Sequence, residues 1–150
     1  MLCNQQIIEA IKTRLLGITA AGSNVVSDRL FPLSKEVLPA IRIYEMADEI
    51  ELMTVHWPQI QRHDMGITLE LCAESVSGID QTLAALQLQS LQALFDTLPH
   101  ATLGFTNVEV TARGCGPMEP IESTDTQIAQ RKLQLSARFS AYANAPETFV

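Results

Sequence analysis

The stretch that decides the fold is Gln130-Arg131-Lys132-Leu133-Gln134-Leu135-Ser136-Ala137-Arg138-Phe139-Ser140-Ala141-Tyr142, in which apolar and polar residues alternate. The apolar positions form one set: Leu133, Leu135, Ala137, Phe139 and Ala141. The polar positions form the other set: Lys132, Gln134, Ser136, Arg138 and Ser140. Because successive side chains of a β-strand point to opposite faces, this stretch predicts a sheet with one apolar face and one polar face.

Shorter stretches with the same alternation predict three more strands, at residues 40–44, 65–74 and 105–113. Helical spacing of apolar residues predicts a helix over residues 4–16, with Asn4 as its N-cap, and a second helix from Ser77 to Leu98. The sequence therefore predicts an α+β fold with a mostly antiparallel sheet of four strands or slightly more, and two helices packed on one face. The polar face is expected to stay open to solvent, and it carries Arg42, Thr68, Glu70, Glu109, Thr111, Gln134, Ser136 and Arg138.

Two segments lie outside these elements. Residues 45–64 are expected to form a projecting loop arm, and residues 143–150 a loose C-terminal tail. The arm carries Met46, Met53, Trp57 and Ile60, which are adaptable or aromatic apolar residues typical of protein interfaces. These side chains either bind a partner or fold back on the core, and the sequence leaves both alternatives open.

Length and composition limit the class of protein. A chain of 150 residues with 47% hydrophobic residues predicts one domain over residues 1–150. The net charge of −7 and the lack of clustered Lys and Arg argue against tight or sequence-specific nucleic-acid binding. Three widely spaced cysteines, Cys3, Cys72 and Cys115, are typical of a reducing compartment. With no signal peptide or membrane span in the sequence, a cytoplasmic protein is expected.

Three sets of residues invite a catalytic or metal-binding interpretation. The spacing of His56, His63 and Asp64 matches no known ligand pattern, so no metal site is predicted, and solvated loop side chains are expected. Cys115 lies between two glycines, which favours a turn over a nucleophile, since no sequence marker places a base such as His100 beside it.

The third set is a pair of glutamates, Glu70 and Glu109, on the polar face. An acid–base pair is one interpretation. Cross-strand salt bridges with Arg42 and Arg138 are the favoured one, because these cations are predicted on the same face. No catalytic residue and no cofactor are therefore predicted.

In its order of elements the chain resembles the tail terminator proteins of long-tailed phages, also called minor tail protein U-like proteins. The resemblance rests on the leading helix ending at Leu15-Leu16, the acidic arm after Tyr44, and two strand stretches. These stretches are Leu38-Pro39-Ala40-Ile41-Arg42-Ile43-Tyr44 and Arg131-Lys132-Leu133-Gln134-Leu135.

This resemblance implies a non-enzymatic assembly protein. Members form a hexameric ring on the finished tail tube, stop polymerisation of the tube protein and present a surface to the head–tail connector. The implied partners are therefore further copies of the chain, the tail tube protein and the connector, with DNA passing through the ring. The implied location is the cytoplasm during assembly and then the virion tail.

A ring subunit uses a different patch for each of its two neighbours. The arm supplies the first set of candidate contacts with a subunit or the tube: Glu49, Glu51, Met53 and Trp57. The turn from Arg113 to Glu122 supplies the second set: Arg113, Glu119 and Glu122.

Three other functions remain open at this point. A neck or tail-completion protein has the same size and layout and differs only in its partner. A small-molecule-binding regulatory domain predicts a pocket between helices and sheet, for which Gln87 is the one polar hint. An enzyme using Cys115 or the glutamate pair predicts selective alkylation of Cys115 with loss of activity.

Overall fold

A computed structural model describes residues 1–27, 30, 32–95, 102–105, 107–121 and 127–150. Helix α1 spans Cys3–Leu15 and helix α2 spans Ile79–Leu94. The strands, in chain order, are β1 (Val25–Val26), β2 (Ala40–Leu52), β3 (Ile60–Glu74), β4 (Glu109–Cys115), β5 (Glu119–Ile121), β6 (Ile128–Tyr142) and β7 (Ala145–Phe149). A single 3-10 turn, Lys35–Val37, precedes β2.

The seven strands form one sheet in the order β1-β2-β3-β6-β4. Strand β1 runs parallel to β2, and the other neighbouring pairs are antiparallel. Strand β3 pairs with β6 along its whole length, from Ile128 to Tyr142. The other side of β6 is therefore shared by three short strands laid end to end, β5, β4 and β7.

The predicted four-stranded, mostly antiparallel sheet is wrong. The sheet has seven strands, is mixed, and curls into a half-barrel with two helices. The missed strands are short, since β1 has 2 residues, β5 has 3 and β7 has 5. Such lengths hold too few alternations to be recognised, and the tail predicted to be loose contains β7. Neither helix among the described residues is long and apolar enough to span a bilayer.

The core lies between the two helices and the apolar face of the central strands. Helix α1 contributes Cys3, Ile7, Ile8, Ile11 and Leu15, and helix α2 contributes Leu83, Leu86 and Leu94. Full burial of each such aliphatic side chain stabilises the fold by roughly 1.5–3 kcal/mol. The predicted N-cap Asn4 is wrong, because α1 begins at Cys3 and the Leu2 N–H donates to Gln5 Oε1 at 3.2 Å.

The polar face is not open along the centre of the sheet, contrary to the prediction. Thr68, Glu70 and Ser136 are only 1%, 4% and 7% exposed. Thr68 Oγ1 donates to Gln134 Oε1 at 3.0 Å, so the buried hydroxyl is paired. Ala112 departs in the other direction. The alternation of residues 105–113 predicts that it faces the core together with Val110, but it is exposed on β4.

The expected loop arm over residues 45–64 is also wrong, because most of it is paired strand. Strand β2 continues to Leu52 and β3 begins at Ile60, so only residues 53–59 connect them. A bulge between Glu45 and Asp48 inserts one extra residue into β2. The bulge shifts the alternation of side chains, which explains why the sequence pattern ended at Tyr44.

Candidate functional site

The far end of the β2–β3 hairpin, residues 46–64, extends past the helices and is called the distal hairpin below. It carries a group of exposed apolar side chains: Met46 (48% exposed), Ile50 (55%), Leu52 (49%), Met53 (49%), Val55 (79%) and Trp57 (73%). Of the two alternatives for Met53 and Trp57, folding back on the core is excluded by this exposure. This many exposed apolar side chains on one hairpin are typical of an interaction surface.

Contacts on its apolar side connect the distal hairpin to the rest of the sheet. His63 Nδ1 lies 2.8 Å from Asp48 Oδ2 on the neighbouring strand. The His63 ring stacks on Phe139 of β6 at 4.7 Å between centroids. Phe139 in turn meets Phe149 of β7 edge to face at 5.6 Å. The hairpin is thus continuous with the sheet through a short chain of ring contacts.

The polar side of the same hairpin is organised around Asp64. Ser136 Oγ donates to Asp64 Oδ1 at 2.7 Å, and Arg113 Nη2 donates to Ser136 Oγ at 3.2 Å. Arg138 Nη2 and Arg113 Nη2 lie 3.6 and 3.9 Å from Asp64 Oδ2. These four residues, from β3, β4 and β6, are called the Asp64 cluster. The sheet register brings them together, since Asp64 pairs with Arg138 and Thr111 with Ser136.

The cluster keeps Asp64 ionised. The hydrogen bond from Ser136 is the largest influence and holds the pKa of the Asp64 carboxyl below its usual value. Partial burial opposes this shift, and Arg138 and Arg113 each lower the pKa by a smaller amount. Two shallow depressions of about 280 and 200 Å³ flank the cluster, and Glu49 lines both. Their walls combine carboxylates and guanidinium groups, so the surface is polar and nearly charge-balanced.

Several predicted contact residues meet at this surface. Glu49, Glu51 and Arg113 lie around Asp64, whereas Met53 and Trp57 lie on the connection at the tip of the hairpin. Glu51 forms a salt bridge with Arg62 on the neighbouring strand. Glu119 lies apart from this group, exposed on β5, and the predicted contact Glu122 falls outside the described residues.

Sequence reasoning missed Asp64 as the centre of the cluster. The alternation of β6 predicts Ser136 and Arg138 on the polar face, and both side chains lie there beside Asp64. Asp64 was assigned to a loop, because the polar run Arg62-His63-Asp64 does not resemble a strand. Extending the β3 alternation back from Gly66 to Ile60 is the signal that places Asp64 on the polar face.

The metal interpretation finds no support among the described residues, which contain no group of three potential His, Cys, Asp or Glu ligands. His63 and Asp64 are adjacent in the strand and point to opposite faces of the sheet, where they contact Asp48 and Ser136 respectively. His56 lies on the exposed connection between the two strands.

The two catalytic interpretations concern Cys115 and the pair Glu70 and Glu109. Partial burial raises the pKa of the Cys115 thiol, and Arg131 lowers it less, so the sulfur is held as a thiol. Its suggested base His100 falls outside the described residues. In the sheet register, Glu70 lies opposite Lys132 of β6 and Glu109 lies opposite Arg138. The two glutamates are therefore roughly 20 Å apart along β6, too far to act as an acid–base pair.

The predicted salt bridges are half confirmed. Arg42 Nη2 lies 2.7 Å from Glu70 Oε2, and Tyr44 Oη donates to Glu70 Oε1 at 3.2 Å. Glu70 is buried and Arg42 is largely covered, so the pair belongs more to the interior of the sheet than to its surface. Arg138 is bound to Asp64, which was not considered as its partner.

A groove of about 410 Å³ lies between α1 and β2, lined by Met1, Gln5, Ile8, Glu9, Ser27, Ile43, Tyr44 and Glu45. Its polar groups bind one another, since Ser27 Oγ donates to Glu9 Oε1 at 3.1 Å and Asn4 Nδ2 donates to both Glu45 oxygens at 3.1 Å. Gln87, the predicted hint of a ligand pocket, lies on α2 and not in this groove.

No protein-family model matches the chain. No curated protein is significantly similar to it in sequence.

Proposed function

We propose that the chain is a non-enzymatic assembly protein of a phage or prophage tail. It assembles into a ring, expected to be a hexamer, which caps the tail tube, stops its polymerisation and joins it to the head–tail connector. The subunit is cytoplasmic until assembly and then a component of the virion tail. The observation that carries this proposal is the set of exposed apolar side chains on the distal hairpin, which continues the paired strands of the sheet.

The exposure of this hairpin is costly in a free subunit. Association is stabilised by roughly 25 cal/mol of free energy for each Å² of apolar surface that it removes from water. Trp57 is the strongest candidate anchor, because tryptophan is enriched among the residues that dominate binding energies. A neighbouring subunit or the tube end would cover this surface, and neither role requires a catalytic group.

The polar face suits a passage for DNA in such a ring. Arg62 is paired with Glu51, and Arg113 and Arg138 both lie beside Asp64. Arginines that are already compensated by carboxylates attract phosphates weakly, so DNA would slide past without being captured. A ring structure whose inner wall is lined by uncompensated Lys and Arg would contradict this part of the proposal.

Native mass spectrometry and negative-stain electron microscopy of the purified protein test the ring. The variant Trp57→Ala should keep the fold and lose the oligomer, because it removes the central apolar contact. Leu88→Ala is the matched control, since Leu88 is 57% exposed but lies on α2, far along the chain from the hairpin. If the two variants oligomerise equally, the distal hairpin is not part of the assembly surface.

A polymerisation assay tests the position in the tail. The tube protein of the same phage is allowed to polymerise with and without this protein, and tube lengths are measured by microscopy. Short tubes with a ring at one end are expected. Tubes of unchanged length, together with rings bound to the connector protein alone, would instead indicate a neck or tail-completion protein.

A further inference from the structure

Among the residues that the structure describes, the sheet has an open edge at each end of its strand order. One edge is β2 beyond its short pairing with β1, which in the described part of the chain involves Ile41 and Arg42 of β2. No described strand pairs with residues 46–52 of β2 on that side. The other edge lies along the outer side of β6, where β5, β4 and β7 follow one another. An open edge presents unpaired backbone groups and is a template for another strand.

The backbone of β2 offers regularly spaced groups on its open side. The Met53 N–H donates to the Ile60 carbonyl at 2.8 Å, so Met53 and Ile60 form a hydrogen-bonded pair. Bonded and non-bonded pairs alternate along an antiparallel ladder. Glu49 and Glu51 therefore bond to β3, while Asp48, Ile50 and Leu52 direct N–H and C=O groups away from it.

At the second edge, no described strand pairs with the outer side of β4. Strands β5 and β7 carry Pro120 and Pro146, and proline is a common means of protecting an edge. Strand β4 carries no proline. The Gly116 N–H donates to the Lys132 carbonyl at 2.9 Å, and the same alternation, continued past the bulge before Gly114, leaves Val110 and Ala112 directed outward.

Charge decides which edge pairs with which. Two β2 edges facing each other would place Asp48, Glu49 and Glu51 of one copy against the same three residues of another. Like charges opposite each other destabilise a strand pair. Strand β4 carries one carboxylate, Glu109, and one cation, Arg113, so it meets the acidic edge without this penalty.

The strand directions and the exposed apolar side chains also favour pairing of β2 with β4. Strands β2 and β4 run in opposite directions, because three antiparallel steps separate them. A rotation about a ring axis preserves a strand's direction along that axis, so the junction would be an ordinary antiparallel pair. It would also place exposed Ile50 and Leu52 of β2 beside the exposed Ala112 of β4 on the same face.

We infer that neighbouring subunits are joined by strand pairing between residues 46–52 of β2 in one copy and β4 in the next. The inference rests on the proposed ring and specifies the contact, called the joint below, that connects neighbouring subunits. Because the two edges differ, the contact is heterologous. Repeating it builds a ring where the rotation between neighbours closes, as the proposed function requires, and does not build a two-fold dimer. The sheet then continues from subunit to subunit.

Two proline variants block one edge each. Ile50→Pro and Ala112→Pro remove only outward-directed N–H groups, so the pairing within the subunit is kept. Each variant should be monomeric by native mass spectrometry at concentrations where the wild type forms rings. Ile50→Thr and Ala112→Val keep the N–H and a strand-favouring residue, and both should still form rings. Thermal unfolding verifies that each variant is folded.

Mixing the two proline variants gives the sharpest result. Each keeps one intact edge, so the mixture should form a dimer containing one copy of each, and nothing larger. Rings formed by Ala112→Pro alone would overturn the inference while leaving the ring and the proposed function in place. A wild type that stays monomeric at every concentration would contradict both the joint and the proposed ring.

A second pair of variants serves if a proline variant unfolds. Ala112→Asp adds a carboxylate on the face that carries Asp48, Ile50 and Leu52 of β2. Placing it beside two apolar side chains and a like charge should raise the assembly midpoint by at least about tenfold, which corresponds to roughly 1.4 kcal/mol. Ala112→Lys has a side chain of opposite charge at the same position and should not weaken assembly. Equal midpoints for the two variants would contradict the inferred joint.

Discussion

The two halves of the β2–β3 hairpin are built from the same two strands but lie in different surroundings. In the proximal half, residues 40–45 and 67–74, side chains on both faces of β3 are buried as far as Ala73. In the distal half, residues 46–64, apolar side chains are exposed and the polar side carries ion pairs. The helices cover the apolar face of the proximal half. Beyond the bulge, Ile50 and Leu52 on the same face of β2 are exposed, so the helices do not cover them.

This difference separates residues that stabilise the fold from residues available to a partner. Substitutions in the proximal half should reduce the free energy of unfolding, and substitutions in the distal half should leave it nearly unchanged. The reverse should hold for assembly. The predictions below test that division, beginning with the largest expected effect.

Leu69→Ala should destabilise the protein by about 4 kcal/mol, because Leu69 is fully buried and truncation leaves a cavity. Leu52→Ala removes the same atoms from an exposed site in the distal half and should cost about 0.5 kcal/mol or less. Urea unfolding followed by circular dichroism measures both. Similar losses for the two variants would abolish the distinction between the halves.

Glu70→Gln should cost about 3 kcal/mol, because the neutral amide removes the buried negative charge that compensates the largely covered Arg42. Glu49→Gln on the exposed part of β2 is the matched control and should change stability little. Chemical denaturation of both variants at neutral pH provides the comparison. A neutral effect of Glu70→Gln would indicate that the buried pair contributes no net stability.

Gly66→Ala tests the bulge that divides the halves. A Cβ atom at position 66 would lie 3.1 Å from Met46 Cβ, closer than ordinary contact. The strands must separate by a few tenths of an ångström, which should cost about 1 kcal/mol. Gly116→Ala is the control, since its nearest neighbour would be the Lys132 carbonyl at 3.8 Å. Equal effects would show that the bulge is not tightly packed.

Acid titration should reveal a small contribution from the Asp64 cluster. Because the pKa of Asp64 is lower in the folded protein than in the unfolded chain, its ionisation stabilises the fold above the unfolded value near 4. That contribution is lost as the pH falls through the folded pKa. The stability difference between wild type and Asp64→Asn should therefore shrink below about pH 4. A difference independent of pH would mean that the carboxylate charge is not what stabilises the cluster.

The sequence predicted the parts of the fold that have long, uninterrupted periodicity. Strand β6, the centre of β3 and the apolar side of α1 were predicted from alternation or helical spacing and contain the core. The rest depends on tertiary context. The bulge after Glu45 shifts the side-chain alternation, and the curl of the sheet buries Thr68 and Glu70 on the face expected to be open. Strand β1 has only two residues and becomes a strand through its neighbour β2.

The candidate site was predicted in part for the same reason. Met53 and Trp57 stood out as apolar residues without a place in the predicted core, and their exposure follows from that. The Asp64 cluster joins β3, β4 and β6 through their register, which a single sequence does not contain. Whether these surfaces bind a neighbouring subunit remains a prediction.

Hydrogen–deuterium exchange at single-residue resolution tests the central claim most directly, because β2 contains its own control. At low concentration the amides of Glu49 and Glu51, bonded to β3, should exchange slowly, and those of Asp48, Ile50 and Leu52 should exchange quickly. At concentrations where rings form, the second set should become protected while the first changes little. Fast exchange of Asp48, Ile50 and Leu52 in an assembled ring would contradict strand pairing at this edge.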